Sequence, residues 1–335
     1  MLQSILNSTV AAATDAKEQE AKLIAVLKSD APQKEKADAC RELARIGTKE
    51  AVAPLAALLG DEKLGHMARY GLETIPDPAV DKALREALGK YKGSLLVGVI
   101  GSVGMRRDLK AVEPLAKLLS DANADVAQTA AQALGRIANA AAIKALEDAL
   151  AKAAAANQLS FCEGLFRCAE AQAAEGRKEP ALKIYDRLRA LKEAPHQVRA
   201  GALRGAVLTR GNEGLPMLLQ AIRGEDFVLV AAAARTAQEL PGVEVIKALA
   251  DELGKLPADK QIVLIQALGK RADAEALPAL FTCAKSGDKN VRIAAIHALP
   301  EIGKASAASV LNELQKDSDS EIAQAAKESL AALPN

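Results

Sequence analysis

The chain has 335 residues, of which 50% are hydrophobic but only 2% aromatic and none is Trp, so its core must be built from Ala, Leu, Val and Ile. That composition argues against a strand-rich domain, which leans on β-branched and aromatic residues, and favours helices, where Ala and Leu lead the propensity scale. The 44 Lys and Arg nearly balance the 43 Asp and Glu, and a formal charge of +1 excludes the whole-protein basic field of a general polyanion binder.

In chain order, residues 1–20 read as a polar N-terminal cap or flexible segment. They lack a basic start, and Gln3, Ser4, Asn7, Ser8 and Thr9 interrupt any apolar run, so an intact secretion signal is not expected here. From residue 21 to residue 335 one rhythm governs the chain. With Leu43 as reference, equivalent residues recur at Leu72, Ile100, Leu134, Leu268, Leu299 and Leu330, the last three spaced by 31 residues. Four residues earlier stand Ala39, Ala68, Leu96, Ala130, Leu264, Ala295 and Ala326. Three residues later stand Ile46, Ile75, Val103, Ile137, Ile302 and Leu333. This spacing is one apolar stripe of a helix. Two residues before the reference the chain reads Arg41, Tyr70, Gly98, Gln132, Gln266, His297 and Glu328, which fall off the stripe.

Each such helix is followed by a stop, Gly47, Pro76, Gly104, Gly211, Gly242 or Gly303. A new helix then starts near Ala51, Ala79, Ala111, Ala142, Ala276 or Ala307. Pro54, Pro114, Pro216 and Pro278 are expected in the first turn of these helices, where a missing N–H costs little. The turns Ser120–Asp125 and Ser286–Asn290 carry Asp and Asn side chains suited to capping the helix that follows. Two helices per period of about thirty residues predict an all-α solenoid, a superhelix of about ten stacked antiparallel helix pairs.

The apolar run Ser94–Met105 is shorter than the ~20 residues a membrane span needs and reads as a buried helix. Its Gly98, Gly101 and Gly104 lie three apart, unlike a dinucleotide-binding fingerprint, and are expected to let a neighbouring backbone approach. Cys40, Cys162, Cys168 and Cys283 form no CxxC element and read as small buried apolar residues. His66, His196 and His297 lie in different repeats without metal-ligand spacing, and His196 opens a helix. No catalytic residue, metal or cofactor is expected.

The run Asp288, Val291-Arg292, Ala294-Ala295, Ala298-Leu299, Ile302-Gly303 resembles a HEAT-like repeat, as found in bacterial HEAT-repeat and phycobilisome-lyase-type repeats. Ala133-Leu134-Gly135-Arg136-Ile137 and Ala267-Leu268-Gly269 echo it, and the resemblance extends from about Lys22 to Leu333. One stretch departs: Leu165, Ala169, Gly176, Ala181, Tyr185, Leu188 and Pro195 are spaced more like a tetratricopeptide repeat, so an irregular pair is expected near 160–195. The resemblance implies that second helices line a concave side, with Arg41, His66, Tyr70, Gln132, Arg235, Gln266, His297 and Glu328 as candidate binding residues. It implies a non-catalytic scaffold for a protein or peptide partner, expected to be a soluble cytoplasmic monomer unless an N-terminal signal has been removed. A module of a longer protein fits the chain's end at Leu333-Pro334-Asn335. The alternatives are nucleic-acid binding through Arg41, Arg69, Arg167, Arg204, Arg235 and Arg292, or a phycobilin-lyase-like accessory role.

Overall fold

Helices begin in this chain where a short polar side chain can hold the first free N–H groups. Thr48, Asp77, Asn123, Asn139, Asp226, Asp288 and Asp319 each accept a hydrogen bond from a backbone N–H two or three residues on. Asn123 and Asp288 are the caps foreseen in the two acidic turns. The structure, a computed structural model, describes residues 2–191 and 193–333. Met1, at the head of the expected cap, and Pro334-Asn335 lie outside them.

All regular structure among the described residues is helical, arranged as two compact units, residues 1–171 and 172–335. The first unit holds the pairs α1 (Leu2–Lys28) with α2 (Gln33–Ile46), α3 (Lys49–Ala57) with α4 (Gly65–Thr74), and α5 (Pro78–Leu88) with α6 (Gly93–Arg106). It continues through α7 (Val112–Leu118) with α8 (Ala124–Ile137), and α9 (Ala140–Leu150) with α10 (Ala155–Ala174), whose last turn crosses the unit boundary. The second unit holds α11 (Lys178–Arg189) with α12 (His196–Arg210), α13 (Leu215–Arg223) with α14 (Phe227–Glu239), and α15 (Val243–Leu253) with α16 (Ala258–Arg271). It ends with α17 (Leu277–Lys285), α18 (Lys289–Ile302), α19 (Lys304–Leu314) and α20 (Ser320–Ala331). Inside each unit second helices pack on second helices, as α2 on α4, α4 on α6 and α6 on α8, or α12, α14, α16, α18 and α20 in turn. First helices likewise pack on first, as α1 on α3 and α13 on α15.

The apolar stripe is the reason. Leu43, Leu72, Ile100, Leu134, Leu268 and Leu299 are fully buried, as are Ala39, Ala68, Leu96, Ala130, Leu264, Ala295 and Ala326 four residues before each reference. Burying one Leu contributes roughly 1.5–3 kcal/mol, and a lone pair leaves much of its stripe uncovered, so each pair depends on its neighbours. Small residues let second helices come close. A Cβ on Gly135 of α8 would sit 2.8 Å from Gly164 O and 2.9 Å from Gly164 Cα of α10, and one on Gly104 of α6 would sit 2.8 Å from Ala133 Cα of α8.

Several punctuation marks differ from expectation. Gly104 does not stop α6; the helix runs on to Arg106, and the glycine serves the contact with α8. Gly101 has open space beside it rather than a backbone. Gly242 stands at the N-terminus of α15, beyond the end of α14 at Glu239. Pro54 sits in the second turn of α3, where its missing N–H removes an intrahelical bond, whereas Pro216 and Pro278 open their helices as foreseen. α6, α8 and α16 end on Arg107, Ala138 and Ala272 in the left-handed conformation, with no glycine to mark the stop.

The segment read as a cap belongs to α1, and its junction with the array is polar. The carboxylate of Glu20 is buried and accepts from Thr48 N at 2.6 Å and Thr48 Oγ1 at 2.9 Å. At 20 residues, α10 is longer than the other second helices.

Candidate functional site

Side chains two residues before the buried reference point away from the packed stripe, because a helix turns them about 200° from it. In the first unit this puts Arg41 on α2 and Tyr70 on α4 in solvent, with Tyr70 50% exposed. His66 lies one turn before Tyr70 on the same face and is also exposed. Arg41 is not free: Asp38 accepts its Nη1 at 2.8 Å. Gln132 on α8 is half-buried and lines a polar groove of about 300 Å³ with Ser94 of α6 and with Asn123 and Thr129.

In the second unit, Arg235 on α14 is exposed and makes no hydrogen bond or ion pair with any described residue. Gln266 on α16 and His297 on α18 share a groove of about 190 Å³ with Lys270 and Glu301. Its floor is Gly269 and Ala298, so close that a Cβ on Gly269 would meet Ala298 Cβ at 3.0 Å. His297 Nδ1 lies 3.2 Å from Ser329 Oγ on α20, and the neighbouring Glu328 accepts from Gln324 Nε2 at 2.8 Å. The structure therefore brings Gln266 and His297 to one groove and sets His66 and Tyr70 one turn apart on one exposed helix face. No hydrogen bond or ion pair links Arg41, Gln132, Arg235 or Glu328 to another of the eight.

The arginines that do most within the stack escaped the sequence reading. Arg106, at the end of α6, bonds Asp81 and gives Nη1 to Glu73 O at 3.1 Å and Ile75 O at 2.8 Å, carbonyls at the end of α4. Arg271 does the same at the end of α16, reaching Ala237 O and Leu240 O of α14 besides Asp273. A cation at a helix C-terminus satisfies orphan carbonyls and the helix dipole together. The available signal was an Arg in the last turn of a second helix.

Reactive chemistry is sparse. Among the described residues no group of three His, Cys, Asp or Glu could hold a metal ion. All four cysteines are free thiols; burial pushes Cys40 and Cys162 up to about 11 and Cys168 to about 12. No helix among the described residues is long and apolar enough to cross a membrane.

Solved structures share this architecture. Over 95% of this chain and 50% of that one, it is similar to a structure of Kap95p with RanGDP, at 11% identity and a TM-score of 0.55. Over 95% of this chain and 41% of that one, it is similar to a Kap121p mutant, at 12% identity and a TM-score of 0.53. An engineered protein matches at 22% identity over 94% of this chain and 98% of that one, with a TM-score of 0.38. At such identities the likeness to the first two is one of fold. No curated protein matches in sequence. The family model for HEAT repeats matches residues 20–97, 93–159 and 247–331, well over half of the chain, and the protein belongs to the HEAT-repeat family.

Proposed function

We propose that the protein is a non-catalytic scaffold that binds a protein or peptide through the outward face of its second helices. The observation that carries this reading is a set of exposed second-helix side chains: His66, Tyr70, Arg235 and Gln266 make no hydrogen bond or ion pair with any described residue. Tyr and Arg are favoured anchors of protein interfaces, since each combines a large contact area with directional hydrogen bonding. The likeness to Kap95p, whose structure includes RanGDP, is in keeping with such a role.

The arginines offered for nucleic-acid binding support that alternative poorly. Arg41 is paired with Asp38, Arg204 with Glu239 and Arg292 with Asp317. Arg69 is half-buried against Gly98, with Glu73 nearby, and burial lowers its pKa. Neutralised guanidiniums release few counterions from a phosphate backbone. Affinity capture with the full chain, compared with a Tyr70→Ala, Arg235→Ala and Gln266→Ala triple variant of unchanged helicity, tests the proposal. A partner retained by the wild type should be lost by the variant, and equal capture by both would contradict the assignment of this face.

A further inference from the structure

Arg199 and Arg292 occupy the same place in their helices, four residues after the N-caps of α12 and α18. Each reaches an aspartate ahead of the next second helix, Arg199 through Nη1 to Asp226 and Arg292 through Nη2 to Asp317. Arg292 also turns Nε back onto Ala284 O at the end of α17, at 3.0 Å. In the same position on α16, Gln261 Nε2 reaches Leu256 O at 2.9 Å. At Arg199 the second bond is missing: its Nε is buried and has no acceptor among the described residues. Buried donors without partners are rare because desolvation is not repaid, so each one asks what completes it.

Beside it lies a cavity of about 330 Å³, bounded by α11, α12, α13 and α14. Its walls include Leu203, Met217, Ala221 and Leu229, and Arg189 joins Arg199 in the lining. Asp186 is shared by Arg189 and Arg210, at 3.1 and 2.6 Å, so with Asp226 two carboxylates serve three guanidiniums. Glu225, the remaining acidic group in the lining, is exposed to water, which screens it. Beyond Asp226 the Arg199 guanidinium bonds no other described residue, and its charge and remaining N–H groups suit the oxygens of a carboxylate. Concave apolar sites with a few convergent polar groups are the usual form of small-ligand sites.

We infer that this cavity binds a carboxylate carried on a branched apolar body, with the carboxylate on Arg199 and the apolar part against Leu203, Met217 and Leu229. That chemistry is offered by a peptide C-terminus ending in an aliphatic residue, or by a free aliphatic carboxylic acid. The inference does not rest on the scaffold role.

Isothermal titration of the full chain tests it with N-acetyl-leucine, its amide, and a hexapeptide ending in Leu with a free or amidated terminus. Saturable binding of the free acids, roughly tenfold or more tighter than of the amides, is expected. Arg199→Gln should erase the acid-over-amide preference. Leu229→Trp, which fills the cavity and leaves the guanidinium in place, should abolish binding, and Glu225→Gln should tighten the acids about two- to fivefold. The two variants in different parts of the wall keep the test open if one of them fails to fold. Tighter binding of the free-acid hexapeptide than of N-acetyl-leucine points to a peptide terminus, and the reverse order to a small free acid. No saturable binding of either acid by folded wild type, equal affinity for acid and amide, or unchanged acid binding by folded Arg199→Gln would overturn the inference.

Discussion

Arg223 at the end of α13 grips the carboxylate of Glu252 on α15 with two parallel bonds, Nε to Oε1 at 2.6 Å and Nη2 to Oε2 at 2.5 Å. Glu252 is buried, with a side chain only 3% exposed, and Lys255 stands 3.7 Å from the same carboxylate. The hydrogen-bonded guanidinium holds the Glu252 carboxyl below its ordinary value, against the opposing effect of burial. First helices of adjacent pairs are thus tied by a charged bond as well as by apolar packing.

Removing Arg223 leaves that carboxylate buried with only the more distant lysine. Arg223→Ala should lower the urea midpoint of unfolding near neutral pH. The lowered folded-state pKa of Glu252 means that the pair's contribution is complete above the ordinary carboxylate range and disappears as pH falls through the lowered value. The stability gap between wild type and Glu252→Gln should therefore narrow from about pH 6 to about pH 3. A gap constant across that range would show that the pair does not titrate as described.

Two glycines should respond in opposite directions to the same substitution. Gly135→Ala sets a methyl against the backbone of Gly164, so α8 and α10 must separate, at a cost of about 1–3 kcal/mol. Gly101→Ala, in the middle of α6 with nothing within 4 Å of the new methyl, should instead stabilise by about 0.5–1 kcal/mol by restricting the unfolded chain. Thermal unfolding of the two variants side by side decides the matter.

The arginine at the end of one second helix fastens the end of the one before it. Arg271→Ala leaves Ala237 O and Leu240 O without this donor and should cost about 1–3 kcal/mol. Faster amide hydrogen exchange should appear in the last turn of α14, a helix that the substitution does not touch in sequence. Exchange faster only in the last turn of α16 itself would mean that the arginine acts locally.

The thiols report on the same packing. Cys40, Cys162 and Cys168 are fully buried and burial raises each pKa to about 11 or 12, so at about pH 8 they should stay unmodified by a thiol-specific reagent until denaturant is added. Rapid labelling of Cys168 in the folded chain would place α10 in a looser environment than its packing implies.

The repeat was legible because its information lies in side-chain type at fixed intervals. Leu43, Leu134 and Leu299 share an environment for the same reason that they share a spacing, and Arg41, Tyr70, Gln266 and His297 are exposed because they stand two residues off that register. Helix ends were harder to read. Ala138 and Ala272 adopt the left-handed conformation without being glycine, and Gly104 looks like a stop but serves interhelix packing. Hidden altogether were relations between residues far apart in sequence, such as Arg271 with Ala237 O, or the buried Nε of Arg199 beside a cavity bounded by four helices. A one-dimensional period records which face is apolar, and it does not record which polar groups meet across neighbouring pairs.

The most direct measurement of the scaffold proposal is photo-crosslinking from single positions on the two helix layers. A photoreactive side chain in place of Tyr70 or Gln266 samples the second helices, and one in place of Lys117 or Lys247 samples the exposed surface of the first helices α7 and α15. The account expects one and the same partner to be captured from positions 70 and 266 and not from 117 and 247. Capture from the first-helix positions alone would contradict it.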